Sequence, residues 1–127
     1  MNNSQKVYEL GQSIWYDNIQ RKLLENGELA GMISAGKIYG VTSNPSIFHK
    51  AIANSNDYDQ DLIPLLKSNR SPEAIFEVLA VKDIQEACDL FFDLYNETNG
   101  GDGFVSLEVN PKLAHETEKT IHEAKRL

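Results

Sequence analysis

At 127 residues, 41% hydrophobic and 24% charged, the chain has the make-up of one small globular domain or of part of a larger one. A net charge of −7 with no basic cluster argues against nucleic acid and membrane as partners, because both call for grouped lysines and arginines. Cys88 is the one cysteine, so no internal disulfide forms; no signal peptide or membrane span is read from Met1-Asn2-Asn3-Ser4 onward, which makes the cytoplasm the default location.

Residues 1–9 read as a polar lead-in with a helical turn. Strand 1 is expected over about 13–17, where Ser13-Ile14-Trp15-Tyr16 is apolar and ends on Asp17-Asn18. Ile19, Leu23 and Leu24 form a helical stripe broken by Gly27; Leu29, Met32 and Ile33 form another, ended by Gly36. Strand 2 is expected over about 38–42. The stretch Gly40-Val41-Thr42-Ser43-Asn44-Pro45-Ser46-Ile47-Phe48 then organises the chain. Asn44 ends the strand, and the fixed φ of Pro45 suits the first position of a helix to about Ala53.

Residues 54–102 read as a helical insertion. Asp57, Asp59 and Asp61 place negative charge at the start of the run Tyr58 to Leu66, where it suits a helix N-terminus. The same spacing opens a calcium loop, but Leu62 stands where that loop needs Gly and Ser68 where it needs Glu, so calcium is rejected. Ser71-Pro72 opens a short helix to about Leu79. A longer helix, about Lys82 to Asn96, is expected to bury Ile84, Ala87, Cys88, Phe91 and Phe92, with Cys88 packed as a small apolar residue. Asn99-Gly100-Gly101-Asp102-Gly103 is a turn. Strand 3 is expected over about 104–109, and a final helix runs from Pro111 to Leu127. No terminator stops that helix, which suggests a chain that is cut rather than finished.

Three strand–polar–helix units therefore recur, each with a carboxylate or amide at the strand's exit: Asp17, Asn44 and Glu108. Parallel α/β proteins place their sites at the carboxyl ends of strands. Asp17 is either a group that moves a proton on a substrate hydroxyl or a cap before the next helix. Asn44 is either a helix N-cap or a polar group aimed at a ligand. Glu108 interrupts the apolar strand Val105 to Val109. It either points inward, where burial without a partner would be costly, or lies outward in water. His49, His115 and His122 are isolated and make no metal site.

The segments Gln12-Ser13-Ile14-Trp15-Tyr16-Asp17, Gly40 to Phe48 and Val105-Ser106-Leu107-Glu108-Val109, with Leu113-Ala114 and Glu116-Thr117, resemble the amino-terminal part of transaldolases from about Leu10 onward. The resemblance implies an α/β fold: the first three βα units of a (β/α)8 barrel, with a helical insertion between strands 2 and 3, residues 1–127 forming one partial barrel domain. A small open α/β sheet, complete in itself, is the competing fold, and strand order separates the two.

The resemblance also implies a chemistry. A lysine at the end of the fourth barrel strand forms a Schiff base with a ketose phosphate, and a dihydroxyacetone unit passes to an aldose phosphate, as in the pentose phosphate pathway. Asp17 matches a catalytic carboxylate, Glu108 the acid/base acting through a bound water, and Thr42 a threonine orienting that water. Asn44 matches the asparagine that binds the donor near its carbonyl. Ser43 stands on the substrate-binding motif where relatives often carry a second threonine. The implied partners are sugar phosphates, and no metal or organic cofactor is called for. No lysine here follows an apolar strand, so the chain alone is expected to lack the Schiff-base amine. It is expected to form a homo-oligomer or to pair with the rest of the barrel. The alternative is a non-catalytic sugar-phosphate-binding or assembly module.

Overall fold

The computed structural model describes residues 1–127. In chain order it contains α1 (Asn3–Glu9), β1 (Trp15–Asp17), α2 (Arg21–Glu25), α3 (Glu28–Ser34), β2 (Gly40–Thr42), α4 (Pro45–Ala53), α5 (Asp59–Leu66), α6 (Pro72–Glu97), β3 (Phe104–Val105), a 3-10 turn (Pro111–Leu113) and α7 (Thr117–Arg126). The three strands form one parallel sheet in the order β1-β2-β3. Trp15, Tyr16 and Asp17 lie opposite Gly40, Val41 and Thr42, while Gly40 and Val41 lie opposite Phe104 and Val105. The class is thus α/β, with neighbours in chain order and no reversal across β1.

Alternation along the strands divides the sheet into two faces. Val41 is fully buried, and with Tyr16 and Val105 it meets Ile19, Leu29, Phe48, Ala87 and Phe91 in the main core beneath the helices. Trp15, Asp17, Gly40, Thr42 and Phe104 alternate with them and belong to the opposite face, where the Tyr95 ring of α6 meets Phe104 edge-on at 5.5 Å and Trp15 stays part exposed. There the Trp15 and Phe104 rings stack with centroids 6.3 Å apart. Gly40 makes that arrangement possible, since a Cβ on it would sit 2.5 Å from the Trp15 ring and 2.9 Å from the Phe104 carbonyl oxygen. At the other end of the sheet, Tyr8 of α1 stacks on Tyr39 at 4.1 Å.

A buried polar network ties α2 to α5 and α6. Arg21, 2% exposed, donates from Nε and Nη2 to Oδ1 of Asp83, at 3.0 and 2.8 Å, and from Nη1 to Oδ2 of Asp61 at 2.5 Å. The Tyr58 hydroxyl donates to Asp83 Oδ2 at 2.7 Å and accepts the Arg21 backbone N–H at 3.2 Å. The guanidinium also lies 4.5 Å from the Tyr58 ring centroid. Burial is the largest single influence on Arg21 and opposes its charge, but Asp83, Asp61 and Tyr58 together outweigh it and raise the pKa. Burial, reinforced by Asp83, pushes the Tyr58 phenol up.

Several sequence expectations need correction. The two helices expected between Ser71 and Asn96 are one helix of 26 residues, because nothing in Leu79-Ala80-Val81-Lys82 interrupts a backbone ladder. Cys88 and Phe92 are exposed, Phe92 by 63%. Ile84, Ala87 and Phe91 face the core, and Cys88 and Phe92 each follow a core residue by one position, about 100° further round the helix. Strand 3 pairs only through Phe104–Val105. Its ladder continues as the Ser106 N–H donating to Val41 O at 3.0 Å; the next bond across comes from the Ser43 side chain, just before the chain turns into α4. The last helix begins at Thr117 rather than Pro111. The Leu113 carbonyl accepts the Glu116 N–H at 2.8 Å and the Thr120 hydroxyl at 2.9 Å, which ends the 3-10 turn and reopens the chain.

Candidate active site

The carboxyl ends of β1 and β2 bring two of the expected residues into contact. Asp17 and Thr42 are paired in the strand register, and the Thr42 hydroxyl donates to Asp17 Oδ1 at 2.8 Å. Asp17 is exposed and Thr42 half-buried, so the pair opens to solvent on the face of the sheet opposite the main core. An exposed carboxylate that already takes one hydroxyl hydrogen bond retains acceptor capacity on its second oxygen.

Asn44 follows at the sheet's rim. Its backbone is extended and its Oδ1 accepts the Ile47 N–H at 3.0 Å, so it is the N-cap of α4, with Pro45 in the first turn. That bond uses the amide oxygen alone. The amide nitrogen donates to no group of the chain, so the capping geometry leaves two N–H donors at the strand exit.

Ser43 takes a different path. It is 1% exposed, and its hydroxyl donates to the Ser106 carbonyl at 2.6 Å. The hydroxyl therefore ties β2 to the chain leaving β3. A buried hydroxyl engaged this way has its proton committed to the backbone.

Glu108 lies beyond the paired part of β3 and is exposed. The inward, buried placement considered above is not the one adopted. It lines a cleft of about 370 Å³ with Pro45, Phe76, Asn110 and Pro111, next to Glu73 and Glu123. The hydrogen bonds at Asp17, Thr42 and Asn44 do not reach it. Every lysine lies in a helix or a connecting segment, and none lies in a strand. No group of three or more His, Cys, Asp or Glu side chains gathers into a metal-binding arrangement, and no helix is long and apolar enough to cross a membrane.

Sequence reasoning passed over Arg21, Tyr58 and Asp83, a buried polar group that begins four positions after Asp17. Their signal was present. Asp83 stands between Ala80 and Ala87 on the inward stripe of α6, where a lone carboxylate demands a cation or donor.

Comparison with known proteins adds to this geometry. Residues 14–127 match the model of the transaldolase/fructose-6-phosphate aldolase family. The chain is similar to a transaldolase of Trichodesmium erythraeum, 49% identical over 98% of this chain and 33% of the relative. A transaldolase of Thiobacillus denitrificans is 48% identical over 100% of this chain and 35% of the relative. For transaldolase 2 of a Nostoc species the figures are 43%, 99% and 33%. The chain thus spans about a third of the length of the curated relatives it matches.

Proposed function

The chain belongs to the transaldolase/fructose-6-phosphate aldolase family, and on that premise we propose that it supplies the amino-terminal wall of a (β/α)8 active site that transfers a dihydroxyacetone unit between a ketose phosphate and an aldose phosphate. The observation that carries the reading is the Asp17–Thr42 pair at the carboxyl ends of adjacent parallel strands. Asp17 takes and returns a proton on a substrate hydroxyl. The free Asn44 amide donates to an oxygen of the donor sugar. Glu108 handles the water lost and regained at the substrate carbonyl, which requires the chain beyond Val105 to turn its carboxylate over the sheet. The reaction belongs to sugar-phosphate metabolism of the pentose phosphate type, in the cytoplasm.

The electron sink of such a reaction is an iminium, and its lysine must be held unprotonated in a desolvated site. None of the lysines here lies in a strand, which supports a chain that binds sugar phosphate but does not turn it over alone. The test is borohydride trapping with fructose 6-phosphate, followed by intact mass. We expect no specific adduct on the 127-residue chain. A fusion of the chain to the remaining two thirds of the Trichodesmium erythraeum transaldolase should gain one adduct per polypeptide. A stoichiometric adduct on the short chain, or none on the fusion under conditions that trap the relative itself, overturns the reading. Specific binding of the sugar phosphate without trapping in the fusion would favour the non-catalytic module instead.

A further inference from the structure

β1 ends on Asp17, and the chain then turns through Asn18-Ile19-Gln20 into α2, a helix of five residues. A helix that short has almost no stability of its own. Ile19, 1% exposed, anchors the turn in the core, but apolar burial is non-directional and does not set an angle. The direction in which the chain leaves β1, and with it the aim of Asp17, needs a different constraint.

Arg21 is placed to provide it. It is the first residue of α2, and both its backbone and its side chain are held by the same neighbours. The Tyr58 hydroxyl accepts the Arg21 N–H at 3.2 Å while donating to Asp83 Oδ2 at 2.7 Å. Asp83 Oδ1 receives Nε and Nη2 of Arg21, and Asp61 receives Nη1. Lys82 completes the set by donating to Asp61 Oδ2 at 2.6 Å. No buried side-chain nitrogen or oxygen lacks a partner. The long helix α6 carries Asp83, so the short helix α2 takes its orientation from the most extended element of the fold.

The energetics favour a geometric role. Removing two charges from water is costly, and replacing a buried ion pair by apolar residues of similar volume is often neutral or stabilising. A guanidinium bonded through all three nitrogens, by contrast, fixes both distance and angle.

We propose that Arg21, Tyr58 and Asp83 are positioning residues that set the path of the chain out of β1 and thereby the aim of the Asp17 carboxylate, the latter role resting on the proton transfer assigned to Asp17 above. The three do not touch the substrate. They act through the backbone of Asn18-Ile19-Gln20, the three residues between Asp17 and Arg21.

The test compares wild type with Tyr58→Phe and with the triple change Arg21→Met, Tyr58→Phe, Asp83→Leu, which removes the network without stranding a charge. Amide hydrogen exchange is read at Leu23 and Leu24, whose N–H groups donate to the Gln20 carbonyl, and at the middle of α6. We expect exchange at Leu23 and Leu24 to rise on the order of tenfold in both variants, with the α6 amides unchanged. A parallel rise at all amides, no rise at Leu23 and Leu24, or a wild type unprotected there overturns the proposal. In the fusion described above, the triple variant should slow adduct formation about tenfold at an unchanged half-saturating sugar concentration, a kcat-type loss. An unchanged rate counts against the positioning role while leaving the function intact. A wild-type fusion that never traps sinks the function, and the exchange data then decide the positioning role alone.

Discussion

Asn44 offers structure and the proposed chemistry different atoms of one side chain. Its oxygen caps α4 and its nitrogen is left free at the strand exit. The two roles separate by substitution. Asn44→Asp keeps a good capping oxygen, and negative charge at a helix N-terminus is favourable, so its thermal midpoint should stay close to wild type. The same change replaces two donors by an acceptor and should abolish sugar-phosphate trapping in the fusion. Asn44→Ala loses the cap as well and should cost about 1 kcal/mol of stability. Thermal unfolding and trapping yield on the three proteins check this, and an Asn44→Asp fusion that traps normally would reduce Asn44 to a cap. Legibility in the sequence follows the same division. Asn44-Pro45 marked the start of α4 because cap and proline chemistry are local. The burial of Ser43 against the Ser106 carbonyl was not legible, because it depends on where a strand 63 residues away comes to lie.

At the scale of elements, α7 is weakly held. None of its residues is buried, and Ile121 is 44% exposed. Its attachment to the rest of the fold is bidentate: Arg126 Nη1 and Nη2 donate to the two carboxylate oxygens of Glu77 on α6, at 2.7 and 2.6 Å, and Arg126 also bonds Glu123. The Arg126 hydrogen bond holds the Glu77 carboxyl below its ordinary value of 4.5, and that of Glu123 likewise. A carboxylate whose pKa is lowered by folding contributes stability above its unfolded value and loses it as pH falls through the lowered one. These groups are partly solvated, so the contribution is small. We expect residues 117–126 to lose amide protection as pH falls from about 5 towards 3, while Arg126→Gln shows that loss already at pH 7 and no further loss on acidification. An identical pH profile in the two proteins would remove Glu77 as the anchor. The break before α7 illustrates what periodicity cannot reveal. The run from Pro111 onward contains no residue that forbids a helix, and the interruption comes where the Leu113 carbonyl takes both the Glu116 N–H and the Thr120 hydroxyl. The continuity of α6 is the opposite case: two helices were expected between Ser71 and Asn96, although no backbone signal divides them.

The whole molecule is a parallel sheet packed against the main core on one face only. Parallel strands are normally buried on both faces, and an open sheet edge offers unpaired N–H and C=O groups to another chain. Here β1 and β3 are both edges, and the other face presents Trp15 and Phe104, 37% and 44% exposed. Against this stands a net charge of −7, which resists indiscriminate aggregation. Attraction confined to one face with repulsion spread over the rest favours a small closed assembly, two chains meeting through their sheets, over an open-ended one. The protein carries a single tryptophan, Trp15, on that face, so its emission reports the event directly. Over a hundredfold range of concentration we expect the sedimentation coefficient to rise and the Trp15 emission to move to shorter wavelength together. Trp15→Lys should weaken the association by placing a second ammonium opposite the first across the shared face, and high salt should not restore it, because the loss is of apolar contact as well as of charge balance. Completion of the sheet in the fusion covers the same surface and should leave Trp15 emission independent of concentration. A single monomeric boundary for the short chain at every concentration, with an unmoving Trp15 spectrum, would show that this face is stable in water as it stands and that the molecule needs no second layer.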